Sequence, residues 1–243
     1  MKAVILAAGY GTRLKELAIN KSKPLIEIAG KPIIEHIIKK IEELDNIDEI
    51  YIITNNKFYH NFLNWEKHFK NKIAIKILND GTNSNEEKLG AVGDFAFAVE
   101  KEHLNEDILL IAGDNLFKLS LKQMFTFFKE KNSTVIAGIR MSKDYIAKRF
   151  GNIISDKNKK IIKFDEKPEK PESDIAATCI YLLKKETLGI LSELLESNKK
   201  PDNMGEVIRY LLVKTNVYVY VSDEKWLDIG GIEHLEEAKK QFK

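Results

Sequence analysis

Short apolar runs alternate with helical periodicity along the first half of the chain. Residues 32–44 carry isoleucines at helical spacing, whereas Glu49–Thr54 is a short, mostly apolar run of strand length. The strands that this pattern predicts are Ala3–Ala8, Glu49–Thr54, Ile73–Leu78, Asp107–Ala112 and Ser133–Ile139. The helices that it predicts are Pro32–Leu44, Phe58–Phe69, Leu89–Val99 and Leu121–Phe128. Such alternation is typical of the α/β class, and we expect a Rossmann-like, mostly parallel sheet with helices on both faces.

The second half has a different pattern, in which strand-like runs follow one another through short polar connections. The turn Asp156–Lys159 suits a hairpin between two of them. The predicted strands are Gly151–Ser155, Ile161–Asp165, Ala176–Leu183 and Val217–Val221. The predicted helices are Leu188–Glu196, Glu206–Val213 and Ile232–Lys240. We therefore expect a mixed extension of the sheet in the second half.

Composition and charge exclude several function classes. The 243 residues include 39 Lys+Arg and 37 Asp+Glu, a formal net charge of +2, which gives no electrostatic reason to expect nucleic-acid binding. No apolar run approaches the roughly 20 residues of a membrane-spanning helix. Cys179 is the single cysteine and cannot form an internal disulfide, which fits a reducing cytoplasm. The five histidines lack the spacing of a zinc site.

A glycine-rich turn directly follows the first predicted strand. Gly9, Gly11 and Arg13 lie where ligands bind parallel sheets, outside the carboxyl end of a strand. Glycines there let backbone N–H groups approach a polyphosphate, and an arginine suits phosphate oxygens. A dinucleotide loop would have a third glycine where Leu14 stands, and no Gly-Lys-Ser/Thr of a P-loop occurs. From these residues alone, a purely structural turn is equally compatible.

Lys23 offers a second cation ten residues after the arginine. The polar segment Asn20–Lys23 is expected to be a mobile continuation of the loop, and Pro24 fixes the chain just after it. A lysine here could contact the same polyphosphate. The alternative is a solvated surface lysine, which is the commoner situation.

Two aspartates follow strand-like runs. Asp114 comes just past the run Ile108–Ala112, and Asp228 precedes a glycine pair. Mg²⁺ is typically held by one or two carboxylates together with phosphate oxygens and waters. Their structural alternatives are a turn cap for Asp114 and an N-cap of the final helix for Asp228.

The glycine turn resembles the signature of the sugar-1-phosphate nucleotidyltransferases. That family, which includes glucose-1-phosphate thymidylyl- and uridylyltransferases, has G-x-G-T-R-L followed by a lysine and a proline, matched here by residues 9–14 and Lys23-Pro24. Ala112–Phe117 resembles its G-D-N segment, and Trp226–Gly230 its W-x-D-x-G segment. Glu16 stands where the family often has proline, and Ala8 where it often has a second glycine.

The resemblance implies roles for particular residues. Glu166 and Lys167 match the family's E-K-P segment, and Gly151 follows an aromatic residue as in its relatives. The implied catalytic cations are Arg13 and Lys23. The implied nucleotide-binding residues are Ala8, Gly9, Gly11 and Thr12. The implied sugar-phosphate-binding residues are Gly151, Glu166 and Lys167. From the residues themselves, Asn79 or Asn85 could hydrogen-bond a base edge, although this polar loop could equally be just long, and Thr178 could line the sugar pocket or belong to the core. The implied Mg²⁺ ligands are Asp114 and Asp228.

The expected domain is therefore a single nucleotidyltransferase domain over residues 1–243. Its nucleotide-binding half would be 1–140 and its sugar-phosphate-binding half 141–243. No hexapeptide repeats occur, so the β-helix acyltransferase domain of some family members is not expected.

The implied reaction joins a sugar 1-phosphate to a nucleoside triphosphate and releases pyrophosphate. The resemblance favours dTTP or UTP and is compatible with CTP. The segment Asn79–Asp94 departs from the family's base-reading pattern, so the base stays open, as do the sugar and the formation of a homo-oligomer. Two alternatives remain: a cytidylyltransferase for a non-sugar phosphate such as phosphocholine, and a regulator that binds a nucleotide sugar without turnover.

Overall fold

The computed structural model describes residues 1–12, 21–196, 201 and 203–242. The chain forms two compact units, each built from separate segments. Unit 1 comprises Met1–Leu104, Ile111–Lys118 and Lys225–Lys243. Unit 2 comprises Asn105–Leu110 and Leu119–Glu224.

Strands and helices alternate through the described chain. The strands are β1 (Lys2–Leu6), β2 (Glu27–Ile28), β3 (Lys31–Pro32), β4 (Glu49–Thr54), β5 (Ala74–Asn79), β6 (Ile108–Ala112), β7 (Asn115–Phe117), β8 (Thr134–Arg140), β9 (Asn152–Ser155), β10 (Ile161–Asp165), β11 (Ile175–Leu183), β12 (Val217–Ser222) and β13 (Trp226–Asp228). The helices are α1 (Ile33–Ile41), α2 (Tyr59–His68), α3 (Gly90–Lys101), α4 (Leu121–Lys131), α5 (Lys143–Ile146), α6 (Lys185–Glu196), α7 (Met204–Lys214) and α8 (Ile232–Gln241). A short 3-10 turn covers Lys23–Leu25.

The core of unit 1 is a parallel arrangement of buried strands. β1 pairs with β4 and β4 with β5, all parallel, so that Lys2 lies opposite Glu49 and Glu49 opposite Ala74. Helix α1 buries the isoleucines that carry its helical spacing, namely Ile33, Ile34, Ile37, Ile38 and Ile41. Burial of each isoleucine side chain stabilises the folded state by about 1.5–3 kcal/mol. The residues whose spacing predicts the helix therefore also stabilise its packing.

Unit 2 contains mixed strand pairs. β9 and β10 form the predicted antiparallel hairpin, and Asp156 Oδ1 accepts the N–H groups of Asn158 (2.8 Å) and Lys160 (2.9 Å) in its turn. β11 pairs antiparallel with β8 and β9, whereas β12 runs parallel to β8. The predicted α/β class with a mixed extension in the second half is thus confirmed. The functional division at residue 140 stays a prediction.

Several short elements lie where the pattern predicts none: β2, β3, β7, β13 and α5. β7 and β13 pair antiparallel, with Trp226 opposite Phe117 and Asp228 opposite Asn115. Elements of two to four residues leave no readable period. The β7–β13 pair depends on residues distant in sequence, whereas β2 and β3 pair locally, with Glu27 opposite Pro32. Within the described residues, no helix combines the length and apolar character that a membrane span requires.

Candidate active site

The turn after β1 is held from beneath by a buried asparagine. Asn55 is fully buried, and its side-chain amide donates to the carbonyl of Ala8 at 2.7 Å. Its Oδ1 accepts the backbone N–H of Phe58 at 3.1 Å. Both ends of the amide are therefore used to fix the backbone at the start of the turn.

The glycines of the turn leave its backbone accessible. Gly9 is exposed, and nothing lies within 4 Å of the position that a Cβ would take there. Gly11 has φ of +64°, in the left-handed region that favours glycine. Thr12 is exposed at the end of this segment. Arg13, predicted to be a catalytic cation, lies outside the described residues.

Lys23 belongs to an ordered turn, contrary to the expectation of a mobile segment. It opens the 3-10 turn, next to the fully buried Ser22. Its Nζ donates to Asp114 Oδ2 at 2.9 Å, and the two side chains are only 17% and 27% exposed. The lysine is thus directed at the predicted metal ligand and is not a solvated surface cation.

Gly113 allows this approach. Its N–H donates to the carbonyl of Leu6 at 2.8 Å, and a Cβ at this position would lie 2.9 Å from both that oxygen and Pro24 Cγ. A larger residue would displace either β1 or the proline. The glycine therefore sets the spacing between the 3-10 turn and the end of β6.

The β7–β13 ribbon places Asp228 beside Asp114. Asp228 pairs with Asn115, the residue that follows Asp114, and Ile229 N–H donates to the Asp114 carbonyl at 2.9 Å. Helix α8 has Gly231 as its N-cap and no side-chain cap, so capping does not explain Asp228.

Asn115 links the ribbon to the Asp114 carboxylate. It is buried, accepts a hydrogen bond from Trp226 Nε1 at 2.5 Å and lies with its amide 3.3 Å from Asp114 Oδ1. Asp114 therefore receives Asn115 on one oxygen and Lys23 on the other. This orientation fixes the carboxylate before any ligand binds.

The donor set fits a magnesium ion. Two carboxylates, from Asp114 and Asp228, are hard oxygen ligands, and Mg²⁺ completes its six positions with phosphate oxygens and waters. The Lys23 ammonium already on Asp114 shows that this carboxylate receives a cation. Within the described ranges, no group of three or more His, Cys, Asp or Glu side chains is arranged to hold a metal.

Asn79 stands at the end of β5 in a network of exposed amides. Its Nδ2 donates to Asn56 Oδ1 at 3.0 Å, and its Oδ1 accepts the N–H of Gly81 at 2.9 Å. Asn56 in turn donates to Asn83 Oδ1 at 2.7 Å. Polar groups of this kind can read the edge of a nucleobase, as predicted for Asn79.

An acid pair next to this loop, the half-buried Asp80 and the buried Asp94, was not anticipated from the sequence. Thr82 donates from its backbone N–H (2.7 Å) and its hydroxyl (2.8 Å) to Asp80 Oδ1, and Tyr10 OH lies 2.9 Å from the same hydroxyl. Asp94 on α3 is 6% exposed, and burial, together with the charge and hydrogen bonding of Asp80, raises its pKa to about 8. The sequence does contain a signal for this pair, because Asp94 is a charged residue within the otherwise apolar predicted helix Leu89–Val99.

The predicted sugar-phosphate residues lie in unit 2. Gly151 is buried, and a Cβ there would collide with the ring of Phe164, so this glycine serves the packing of β10. Thr178 is also buried, and its hydroxyl donates to the Ala137 carbonyl at 2.8 Å within the sheet. Binding of sugar by Gly151 and Thr178 stays a prediction.

Glu166 and Lys167 are accessible by comparison. Glu166 Oε2 occupies the space that a Cβ on Gly205 would require, at the first turn of α7. Lys167 is about half exposed, lies with Nζ 3.9 Å from Glu166 Oε1, and has φ of +46°, a strained value for a residue other than glycine. Strain of this kind often marks functional sites.

Unit 1 brings together an open glycine turn, a lysine on an oriented carboxylate and the strand that bears a second carboxylate. Cations and metal-binding carboxylates are groups that can stabilise the charge of a phosphoryl group. Residues 2–243 match the model of the protein family described as Nucleotidyl transferase. The chain therefore belongs to the nucleotidyl transferase family.

Individual relatives cover most of this chain. It is 31% identical over 243 residues to the bifunctional protein GlmU of Methanocaldococcus jannaschii, covering 99% of this chain and 54% of that protein. It is 33% identical over 257 residues to the glucose-1-phosphate adenylyltransferase of Clostridium novyi, covering 98% and 65%. The chain thus spans about half the length of the GlmU relatives that it matches.

The fold is also found among solved structures. A UDP-glucose pyrophosphorylase complexed with UDP-glucose aligns with a TM-score of 0.81 at 22% identity, covering 99% of this chain and 97% of that one. This similarity independently supports the α/β assignment.

Proposed function

We propose that this protein is a sugar-1-phosphate nucleotidyltransferase, which joins a sugar 1-phosphate to a nucleoside triphosphate and releases pyrophosphate. The observation that carries the proposal is the contact of Lys23 Nζ with Asp114 Oδ2 at 2.9 Å, beside the strand that bears Asp228. A cation and two carboxylates at the end of a glycine turn suit a triphosphate better than they suit a purely structural role.

The chemistry requires two anions to approach each other. The attacking oxygen of a sugar 1-phosphate is already ionised, so no strong general base is needed, and catalysis rests on positioning and charge stabilisation. Lys23 would neutralise charge at the α-phosphate, and Arg13 would receive the leaving pyrophosphate. Mg²⁺ held by Asp114 and Asp228 would supply Lewis acidity and a template for the phosphates.

The accessible groups of unit 2 suit the sugar phosphate. The Glu166 carboxylate can accept hydrogen bonds from sugar hydroxyls, and the Lys167 ammonium can bind the phosphate. A phosphocholine substrate would have no hydroxyls for the glutamate. This difference favours the sugar over the non-sugar alternative.

The base is proposed to be read by Asn79 and the amides around it. The family resemblance favours uracil or thymine, and cytosine is compatible. An asparagine side chain both donates and accepts, so Asn79 can bind either base edge by exchanging its present contacts with Asn56 and Gly81. Relatives carry names that include adenylyltransferase and guanyltransferase, so the base requires direct measurement. The single cysteine is compatible with the cytoplasm as the proposed location.

Pyrophosphate release from a grid of substrates tests the proposal. ATP, GTP, CTP, UTP and dTTP are each combined with several sugar 1-phosphates and with phosphocholine, with Mg²⁺ or with excess EDTA. We expect Mg²⁺-dependent release that requires a sugar 1-phosphate. Release with CTP and phosphocholine, and with none of the sugar 1-phosphates, would establish the cytidylyltransferase alternative. Nucleotide-sugar binding without release from any pair would establish the non-catalytic one.

A further inference from the structure

A chain of hydrogen bonds joins the glycine turn to the loop after β5. Tyr10 lies between Gly9 and Gly11, and its hydroxyl is 2.9 Å from Thr82 Oγ1. The backbone of the same loop is tied to the segment after β4, because Asp80 N–H donates to Thr54 O at 2.9 Å and Asn56 N–H to Thr82 O at 3.0 Å. The position of the loop therefore depends on both sides of the proposed nucleotide site.

The direction of these hydrogen bonds is fixed because each hydroxyl group has only one proton to donate. The single hydroxyl proton of Thr82 goes to Asp80 Oδ1, 2.8 Å away. Tyr10 must then be the donor to Thr82. Asp80 Oδ1 also accepts the Thr82 backbone N–H at 2.7 Å, so Asp80 is the acceptor at the end of the chain.

Asp94 faces this acceptor from helix α3. Asp94 is only 6% exposed and is therefore more than nine-tenths buried. Its Oδ1 has no hydrogen-bond partner among the described residues. Helix α3 packs on β1 and β4, the two strands that lead into the turn and the loop. The charge acting on Asp94 is that of Asp80, which has the same sign. Two facing carboxyl groups are stable in such a place when they share a proton.

We propose that Asp94 is a positioning residue for the nucleotide-base side of the site, whose carboxyl O–H donates to Asp80 and fixes the loop of residues 79–83 against Tyr10. This inference rests on the proposed function. Burial and the proximity of Asp80 raise the pKa of Asp94 to about 8, so the donor proton is present at neutral pH. Burial likewise raises the pKa of Tyr10, which therefore keeps its donor proton, with Asp80, Glu87 and Asp94 as the acidic groups around it.

The consequence for substrate binding is selective. Asn79 accepts the N–H of Gly81 in the same loop, so a shift of residues 80–82 moves the proposed base-reading amide. Glu166 and Lys167 belong to unit 2, whereas this loop belongs to unit 1. Loss of the Asp94 proton should therefore raise KM for the nucleotide and leave KM for the sugar phosphate unchanged.

Kinetics of Asp94→Asn and Asp94→Ala between pH 6.5 and 9.5 test the proposal. The asparagine keeps a neutral donor of the same shape, whereas the alanine removes it. At pH 7 we expect Asp94→Asn to retain the wild-type KM for nucleotide and Asp94→Ala to raise it about tenfold, as for one lost buried hydrogen bond. In the wild type that KM should rise above pH 8, and in Asp94→Asn it should not. Equal alkaline profiles, or equal defects of both variants at pH 7, would overturn the proposal.

Stability measured against pH gives a readout that is independent of turnover. Because the folded pKa of Asp94 is raised, its contribution to stability is complete below the unfolded pKa of about 4 and is lost as pH rises through about 8. The unfolding constant should rise by up to about tenfold per pH unit across that window in the wild type. Asp94→Asn should lack this component, and an unchanged slope would contradict the proposal. If the wild type released no pyrophosphate from any substrate pair, the proposed function would fail. The pH dependence of the unfolding constant would still show whether Asp94 is protonated in the folded protein.

Discussion

Separating the two charges of the Lys23–Asp114 pair should cost both stability and turnover. The substitutions are Lys23→Met, Asp114→Asn and the two combined. At 2.9 Å, with side chains 17% and 27% exposed, the contact is a charge-assisted hydrogen bond that retains some access to water. Such bonds contribute about 1.5–3 kcal/mol, and partial exposure favours the lower end. We expect a coupling of about 1–2 kcal/mol in the free energy of unfolding, obtained from urea denaturation of all four proteins.

The same variants should be far more sensitive in the pyrophosphate assay than in denaturation. Each single substitution should lower kcat by about two to four powers of ten, as for loss of one group that stabilises charge in the transition state. The double variant should fall short of the product of the two effects, because both residues act on the same phosphates.

A surface pair at the C-terminal end of α1, with Lys40 in the helix and Glu43 just beyond it, supplies the matched control. Lys40 and Glu43 lie at the same N–O distance, 2.9 Å, and Glu43 is 42% exposed. Their coupling should stay below about 0.5 kcal/mol, and turnover should be unchanged. Near-normal turnover of Asp114→Asn, or a coupling no larger than that of the control pair, would refute the assignment of Lys23 and Asp114.

Three further substitutions test other parts of the structure. Gly205→Ala introduces a Cβ into the space of Glu166 Oε2 and should raise KM for the sugar phosphate about tenfold without changing KM for the nucleotide. Gly189→Ala, in open space on α6, is its control, and equal kinetics of the two variants would exclude a role for the glutamate position. Lys167→Gly should lower turnover. It should also stabilise the fold by about 1 kcal/mol in thermal melts, because glycine adopts the φ of +46° without the strain that a lysine has there. A lower melting temperature would contradict this. Asn55→Ala removes the side-chain hydrogen bonds to the Ala8 carbonyl and to the Phe58 N–H, which keeps a 3.2 Å bond to the carbonyl of residue 55. The unfolding free energy should fall by about 1–3 kcal/mol in urea, whereas a loss below about 0.5 kcal/mol would show that water replaces the amide.

Local periodicity was sufficient to predict the larger elements. Glu49–Thr54 forms a strand with the predicted bounds, and the isoleucine spacing in residues 32–44 places α1 within that range. Both segments are determined by their own side chains, since α1 buries one apolar face and Glu49–Thr54 is buried at every position after Glu49. The expectation for residues 20–23 was wrong at Lys23, because packing of Pro24 near Gly113 orders a polar segment whose composition favours a loop.

The site could be predicted only where short motifs carry a resemblance. Asp114 and Asp228 were identified that way, and the structure explains their proximity by β7 and β13, which pair residues more than 100 positions apart. No local pattern specifies such a pairing. No local pattern specifies the surroundings of Asp94, whose proposed role depends on Asp80 across a loop. Nor does a local pattern explain Gly151, whose small size is required by the ring of Phe164.

The order of the segments along the chain has a consequence for synthesis. Unit 1 is completed by residues 225–242, which follow all of unit 2 and supply Trp226 and Asp228 to the strand at Asn115. A nascent chain folds from its N-terminus as it emerges from the ribosome. Until translation reaches this segment, Asn115 lacks the indole that fixes it, and Asp114 lacks its neighbouring carboxylate. The centre therefore assembles only after unit 2 has been synthesised, and a chain terminated before residue 226 would retain the glycine turn without the second acid.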